Sequence, residues 1–175
     1  MNVQEFLQQL ELRLRNNFNI NYNFPLGKRI LDMYAVCNIN NSKYLGSKNL
    51  KIWSYEINEH CLIISTKETL TVSFVQDFVG WLKEQIPVLI KTHPEHMQSY
   101  LTGVIISPSG IDNQAMQFIN KLKYSKSFLW GLQGWCDLRL LVVDLATGQV
   151  ISNKKAEEVK KVYQPKFSSS FNYHD

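Results

Sequence analysis

The spacing of apolar side chains opens with a helical period. Val3, Phe6, Leu7, Leu10 and Leu14 recur every three or four positions, with Gln4, Gln8, Glu11 and Arg15 left for the other side, as in a helix with one buried stripe. The period then shortens to two: in the Asn-rich stretch from Asn16 to Asn23 and just beyond it, Phe18, Ile20, Tyr22 and Phe24 alternate with polar residues, predicting a half-buried strand. Pro25 and Gly27 predict a turn. Lys28 to Val36 is predicted as a second strand, with Ile30, Asp32, Tyr34 and Val36 on one face and Leu31, Met33 and Ala35 on the other. Two apolar faces mark an inner strand. Asn38 to Asn49 is polar and predicts a loop.

A third strand is predicted over Lys51–Asn58, with Trp53, Tyr55 and Ile57 on one side and Ile52, Ser54, Glu56 and Asn58 on the other. Cys61 to Ile64 either continues it past a bulge or returns as a fourth strand. Phe74, Val75, Phe78, Val79, Leu82 and Ile86 predict a helix over about Thr71–Gln85, kinked or ended by Pro87. Thr102–Ser107 reads as a short strand, followed by a turn at Pro108-Ser109-Gly110 and a helix capped by Asp112 and reaching about Leu122. Leu138–Leu145 and the run ending at Ser152 form a hairpin around Ala146-Thr147-Gly148, and Lys154–Tyr163 a last short helix. This order predicts an α/β (or α+β) domain, a mixed sheet flanked by helices. It spans residues 1–165, with 166–175 as a C-terminal tail.

Composition narrows the class. With 175 residues, 45% hydrophobic and 19% charged, the chain can bury roughly 70% of its unfolded surface in one core and needs no metal or disulfide to fold. A net charge of +4 permits a polyanion such as DNA without requiring one. Lys154, Lys155, Lys160, Lys161 and Lys166 crowd the C-terminal region, as a solvated face or a phosphate-contacting patch. Cys37, Cys61 and Cys136 are odd in number, far apart and set among apolar neighbours, which reads as small buried hydrophobes in a reducing compartment. No stretch approaches the roughly 18 apolar residues of a membrane span. The expectation is a cytoplasmic protein without membrane association.

Several specific signatures are absent: no Walker loop, no Gly-x-Ser-x-Gly elbow, no paired Cys-x-x-Cys. His93 and His96 would share a face on a helix and hold a metal, although Pro94 favours a surface connection. Trp130 and Trp135 suit stacking on a base, core packing or a dimer contact.

Asp32 and Glu56 remain. A carboxylate in a two-sided apolar strand costs several kcal/mol unless it is paired, protonated or metal-bound. Two of them on adjacent strands suit a magnesium ion, which prefers oxygen ligands and activates water. The alternative reading has Asp32 accepting from Lys28 or Arg29 or capping a turn, and Glu56 on an exposed edge. In the order helix, strands, Asp on a strand, Glu on the next, helix, strand, residues 1–145 resemble the PD-(D/E)XK nuclease-like superfamily. Asp32 in Ile-Leu-Asp-Met-Tyr-Ala matches its Asp, and Glu56 in Tyr-Glu-Ile-Asn its Glu. The resemblance implies a restriction-endonuclease-like core with Mg²⁺ held by Asp32 and Glu56, acting on DNA. The catalytic Lys of that family falls at Asn58, so it implies either an enzyme or a relative that has lost activity. The alternative is a non-catalytic interaction protein, a homodimer using the segment around Trp130 and Trp135.

Overall fold

A computed structural model describes residues 1–44, 51–93 and 96–167, with side chains throughout these except at 39–44 and 51–57. The first helix, α1 (Val3–Leu14), is fixed at its start by a reciprocal pair of bonds between Asn2 and Glu5, which satisfies amides the first turn leaves free. Three antiparallel strands follow, β1 (Asn19–Leu26), β2 (Arg29–Tyr44) and β3 (Lys51–Ser65). Next come α2 (Val72–Leu89), β4 (His96–Ser107), α3 (Asn113–Lys121), β5 (Ser125–Ser127), β6 (Trp135–Asp144) and β7 (Gln149–Ser152). Two short 3₁₀ turns, Lys154–Ala156 and Lys160–Tyr163, end the sequence of elements.

The described strands form one mixed sheet in the order β1-β2-β3-β4-β6-β5, with β7 also on β6. β3, β4 and β6 run parallel. β5 covers the start of the outer edge of β6 and β7 its end. The Asn153 side chain fills the gap between them: its oxygen accepts from the Leu140 amide at 3.0 Å and its nitrogen donates to the Leu138 carbonyl at 3.0 Å. A single side chain thus completes the ladder that a buried edge requires.

One face packs against α2 and α3 through Phe78, Trp81, Leu82, Leu101, Leu138 and Leu140. The other carries α1 and the 3₁₀ turns, through Phe6, Leu10, Ile63, Val104, Leu141 and Tyr163. α2 lies so close to β4 that a Cβ on Gly103 would come within 2.4 Å of Leu82 Cδ1.

The predicted α/β class with a mixed flanked sheet is observed, β2 is indeed an inner strand, and of the two readings for Cys61–Ile64 the structure shows the continuation of β3. Four expectations are corrected. The polar stretch from Asn38 is strand as far as Tyr44, because register with β3 satisfies its backbone; residues 45–50 of the predicted loop lie outside the described residues. β4 starts at His96, well before the predicted Thr102. α2 runs through Pro87 to Leu89. The last predicted helix is a pair of 3₁₀ turns. The tail begins docked: Gln9 exchanges bonds of 2.8 and 3.1 Å with the Lys166 backbone.

Candidate functional site

Parallel register sets residues of β3, β4 and β6 level in rows. On the α1 side, Ile63, Val104 and Leu141 form one row, Cys61, Thr102 and Arg139 the next, and Glu59, Tyr100 and Asp137 the one after. The face therefore changes from apolar to ionised within two residues.

Arg139 is the centre of the ionised part. Its side chain is 5% exposed. The guanidinium donates to Glu59 at 3.1 Å, to Glu158 and, through Nε, to the Lys155 carbonyl at 3.2 Å. It also stacks on the Tyr100 ring, with Cζ 3.4 Å from the centroid. Thr102 adds a 2.9 Å bond to Glu59. Multiple charge-assisted bonds of this kind make a buried cation tolerable. Beneath it Tyr163 donates to Cys61 Sγ at 3.4 Å, and burial pushes both the Cys61 thiol and the Tyr163 phenol well above their ordinary values. Neither is a nucleophile in that state.

Asp137, 2% exposed, shares the row with Tyr100. Its Oδ2 accepts from Lys155 Nζ at 2.9 Å and from Gln98 at 3.2 Å, while Oδ1 has no hydrogen-bond partner among the described residues. Asp137 lines an open cavity of about 880 Å³ with Gln98, Tyr100, Tyr124, Ser125 and Lys155. Tyr100 and Glu158 also line a second cavity of about 610 Å³, together with Arg139, Glu59 and the half-buried Cys37.

The expected metal pair is not brought together. Met33 pairs with Ile63 and Asn40 with Glu56, which sets Asp32 level with Ile64, eight positions and about 26 Å along the strand from Glu56. The Glu56 side chain lies outside the described residues. Asn58 pairs with Asn38 and Ser99. Asp32 escapes the burial cost that singled it out: it is half-buried, at a cavity of about 270 Å³ with Gln4, Glu11, Tyr22 and Asn23. Strand alternation breaks there, Leu31 packing on the α2 side and Met33 on the α1 side, opposite Asn23 at φ 49°.

His96 opens β4 and is 3% exposed, its ring nitrogens at 2.7 Å from the Gln133 carbonyl and 2.8 Å from Ser99. Both are thereby engaged within the protein. No three His, Cys, Asp or Glu side chains among the described residues form a metal-holding group. Cys61 and Cys136 are the buried hydrophobes expected; Cys37 is only half-buried.

The segment around Trp130 is the second distinctive region. It forms the tip between β5 and β6, with Trp130 99% exposed, Leu132 82% and Leu129 59%, and with Met97 and Trp135 partly exposed. Leu129 and Trp130 have φ of 44° and 57°, in the left-handed region that side chains with a Cβ disfavour.

Sequence reasoning missed Arg139, Glu59, Tyr100, Asp137 and Glu158, and took Lys155 only as part of a C-terminal lysine face or phosphate-contacting patch. The signal was present in Cys136-Asp137-Leu138-Arg139-Leu140, two charges inside an apolar strand.

The fold and site together define a mixed-sheet α/β domain with an ion-paired face and a bare aromatic tip. The chain belongs to the family described as a domain of unknown function (DUF8052), which it matches over residues 2–165. No curated protein and no solved structure matches it.

Proposed function

We propose that the protein is a non-catalytic docking module that attaches to an anionic lipid surface through Leu129, Trp130 and Leu132. The observation that carries this reading is Trp130, 99% exposed on a strained backbone and flanked by two exposed leucines. Lys121, Lys123 and Lys126 precede the tip in sequence, with no Asp or Glu from 113 to 136, while Lys123 lines a cavity with Asp137, Glu157 and Glu158. Exposed apolar side chains with lysines close by in sequence suit a headgroup region carrying negative charge. Trp in particular favours that interface.

Burying a Trp and two Leu side chains supplies roughly 5 kcal/mol, and each lysine near the surface about 1 kcal/mol more. That supports reversible attachment. Helices long and apolar enough to span a bilayer are absent among the described residues, and surface attachment needs none. A two-fold contact through the same segment would bring the three lysines against their own copies. Contact with DNA would use the lysines but leave Trp130 and Leu132 in water. A magnesium-bridged Asp32–Glu56 pair is not adopted, given their separation along the strands.

Co-sedimentation with phosphatidylcholine vesicles, with and without phosphatidylserine, tests the reading. Wild type is expected to pellet with the anionic vesicles and to show a blue-shifted Trp emission, and Trp130→Ala with Leu132→Ser to lose both. Equal pelleting of the double variant, or none of wild type, overturns it. A wild-type dimer abolished by Trp130→Ala, without vesicle binding, transfers the surface to self-association.

A further inference from the structure

The Asp137 cavity shares Lys123 with the docking surface above but offers a different chemistry, and its floor is incompletely paired. Lys155 offers a single ammonium to one oxygen of a carboxylate whose side chain is 3% exposed. The other oxygen has no partner among the described residues. A buried acceptor left in that state costs on the order of 1–3 kcal/mol. A guanidinium removes the deficit, because its fork presents two parallel N–H groups to both oxygens of a carboxylate, where an ammonium is a point donor.

The surroundings suit the exchange. The Lys155 side chain is 51% exposed, so it can swing into water, and the incoming guanidinium takes over its role as the cation at Asp137. Tyr100 and Tyr124, each with a cation (Arg139, Lys83) already on one face, line the same cavity, and Glu157 and Glu158 there offset Lys123 and Lys154. Aromatic rings favour a flat cation. About 880 Å³ lies within the range of small-molecule sites rather than that of a macromolecular groove.

We infer that this cavity binds a small guanidinium compound, which displaces Lys155 and forms a two-pronged bond with Asp137. Lys155 then acts as a built-in competitor that keeps the empty site neutralised.

Titrations of the full chain with agmatine, putrescine and inorganic phosphate, followed by calorimetry and by backbone amide shifts, test the assignment. Agmatine is expected to saturate, to shift the amides of Tyr100, Ser125 and Asp137, and to bind at least about tenfold tighter than putrescine, a difference of about 1.4 kcal/mol. Asp137→Asn should abolish binding. Lys155→Met should strengthen it several-fold, and agmatine should raise the melting temperature of that variant more than that of wild type. A merely structural ion pair predicts no such gain, so this arm stands even if Asp137→Asn fails to fold. Absence of saturation in both wild type and Lys155→Met, tighter binding of phosphate than of agmatine, or weaker binding by Lys155→Met overturns the proposal.

Discussion

The two halves of the α1-side sheet face are built on the same strands, in the same register, and solve burial differently. Where α1 covers the sheet, the rows are Ile63–Val104–Leu141 and their neighbours, and side-chain volume alone excludes water. Where the 3₁₀ turns cover it, the rows carry Glu59, Arg139 and Asp137, and exclusion depends on each charge finding its partner. The apolar half tolerates a change of shape in proportion to the volume lost. The ionised half tolerates little, because removing one partner strands another. Both of the larger cavities described above adjoin that half.

The largest expected effect is Arg139→Ala, which leaves Glu59 beside a buried gap and should cost about 4 kcal/mol in urea unfolding at neutral pH. A cost below about 1 kcal/mol would reduce the ionised half to a solvated surface and erase the contrast. Leu141→Ala, in the apolar half, should cost about 3 kcal/mol through the cavity it opens. Thr102→Val removes one hydrogen bond to Glu59 and should cost about 1 kcal/mol.

His60, on the opposite α2 face, provides a separate probe. It is buried against Tyr34, whose hydroxyl lies 2.7 Å from Nδ1, and burial holds its pKa below the ordinary value. The unfolded chain therefore binds the proton more readily. Its contribution is complete above pH of about 6.5 and declines as pH falls through the interval down to the lowered folded value. Stability of His60→Gln should lack this component of the slope. Smallest of all, Asp32→Ala should change stability by less than about 0.5 kcal/mol, as for an ordinary surface position. A much larger loss would mean that Asp32 carries structure its half-exposed setting does not reveal.

Helices α1 and α2 were legible because one buried stripe repeats at 3.6 residues. The polar end of β2 was not. Asn38, Asn40 and Asn41 have poor strand propensity, and only pairing with β3 makes them extended. The early start of β4 was hidden similarly, since His96 and Ser99 are polar yet buried by bonding each other. For the site, the rule that a charge inside an apolar strand needs a partner singles out Asp32, which a local break in alternation brings to a surface cavity. Applied to Asp137 and Arg139 it marks the strand that carries the ionised rows. Their partners come from β3 and the 3₁₀ turns, and no spacing rule within one strand reveals a register between parallel strands joined by helices.

The loop bearing Trp130 is braced from below. A Cβ on Gly134 would fall 2.1 Å from the Met97 carbonyl oxygen, His96 lies against Gln133, and amides of Phe128, Gly131 and Leu132 are bonded within the turn. The tip is consequently a stiff prong whose freedom is surrendered during folding and not at the moment of encounter. Its contacts should form quickly and carry little ordering penalty, and Gly134→Ala should slow or weaken them without altering a single exposed side chain.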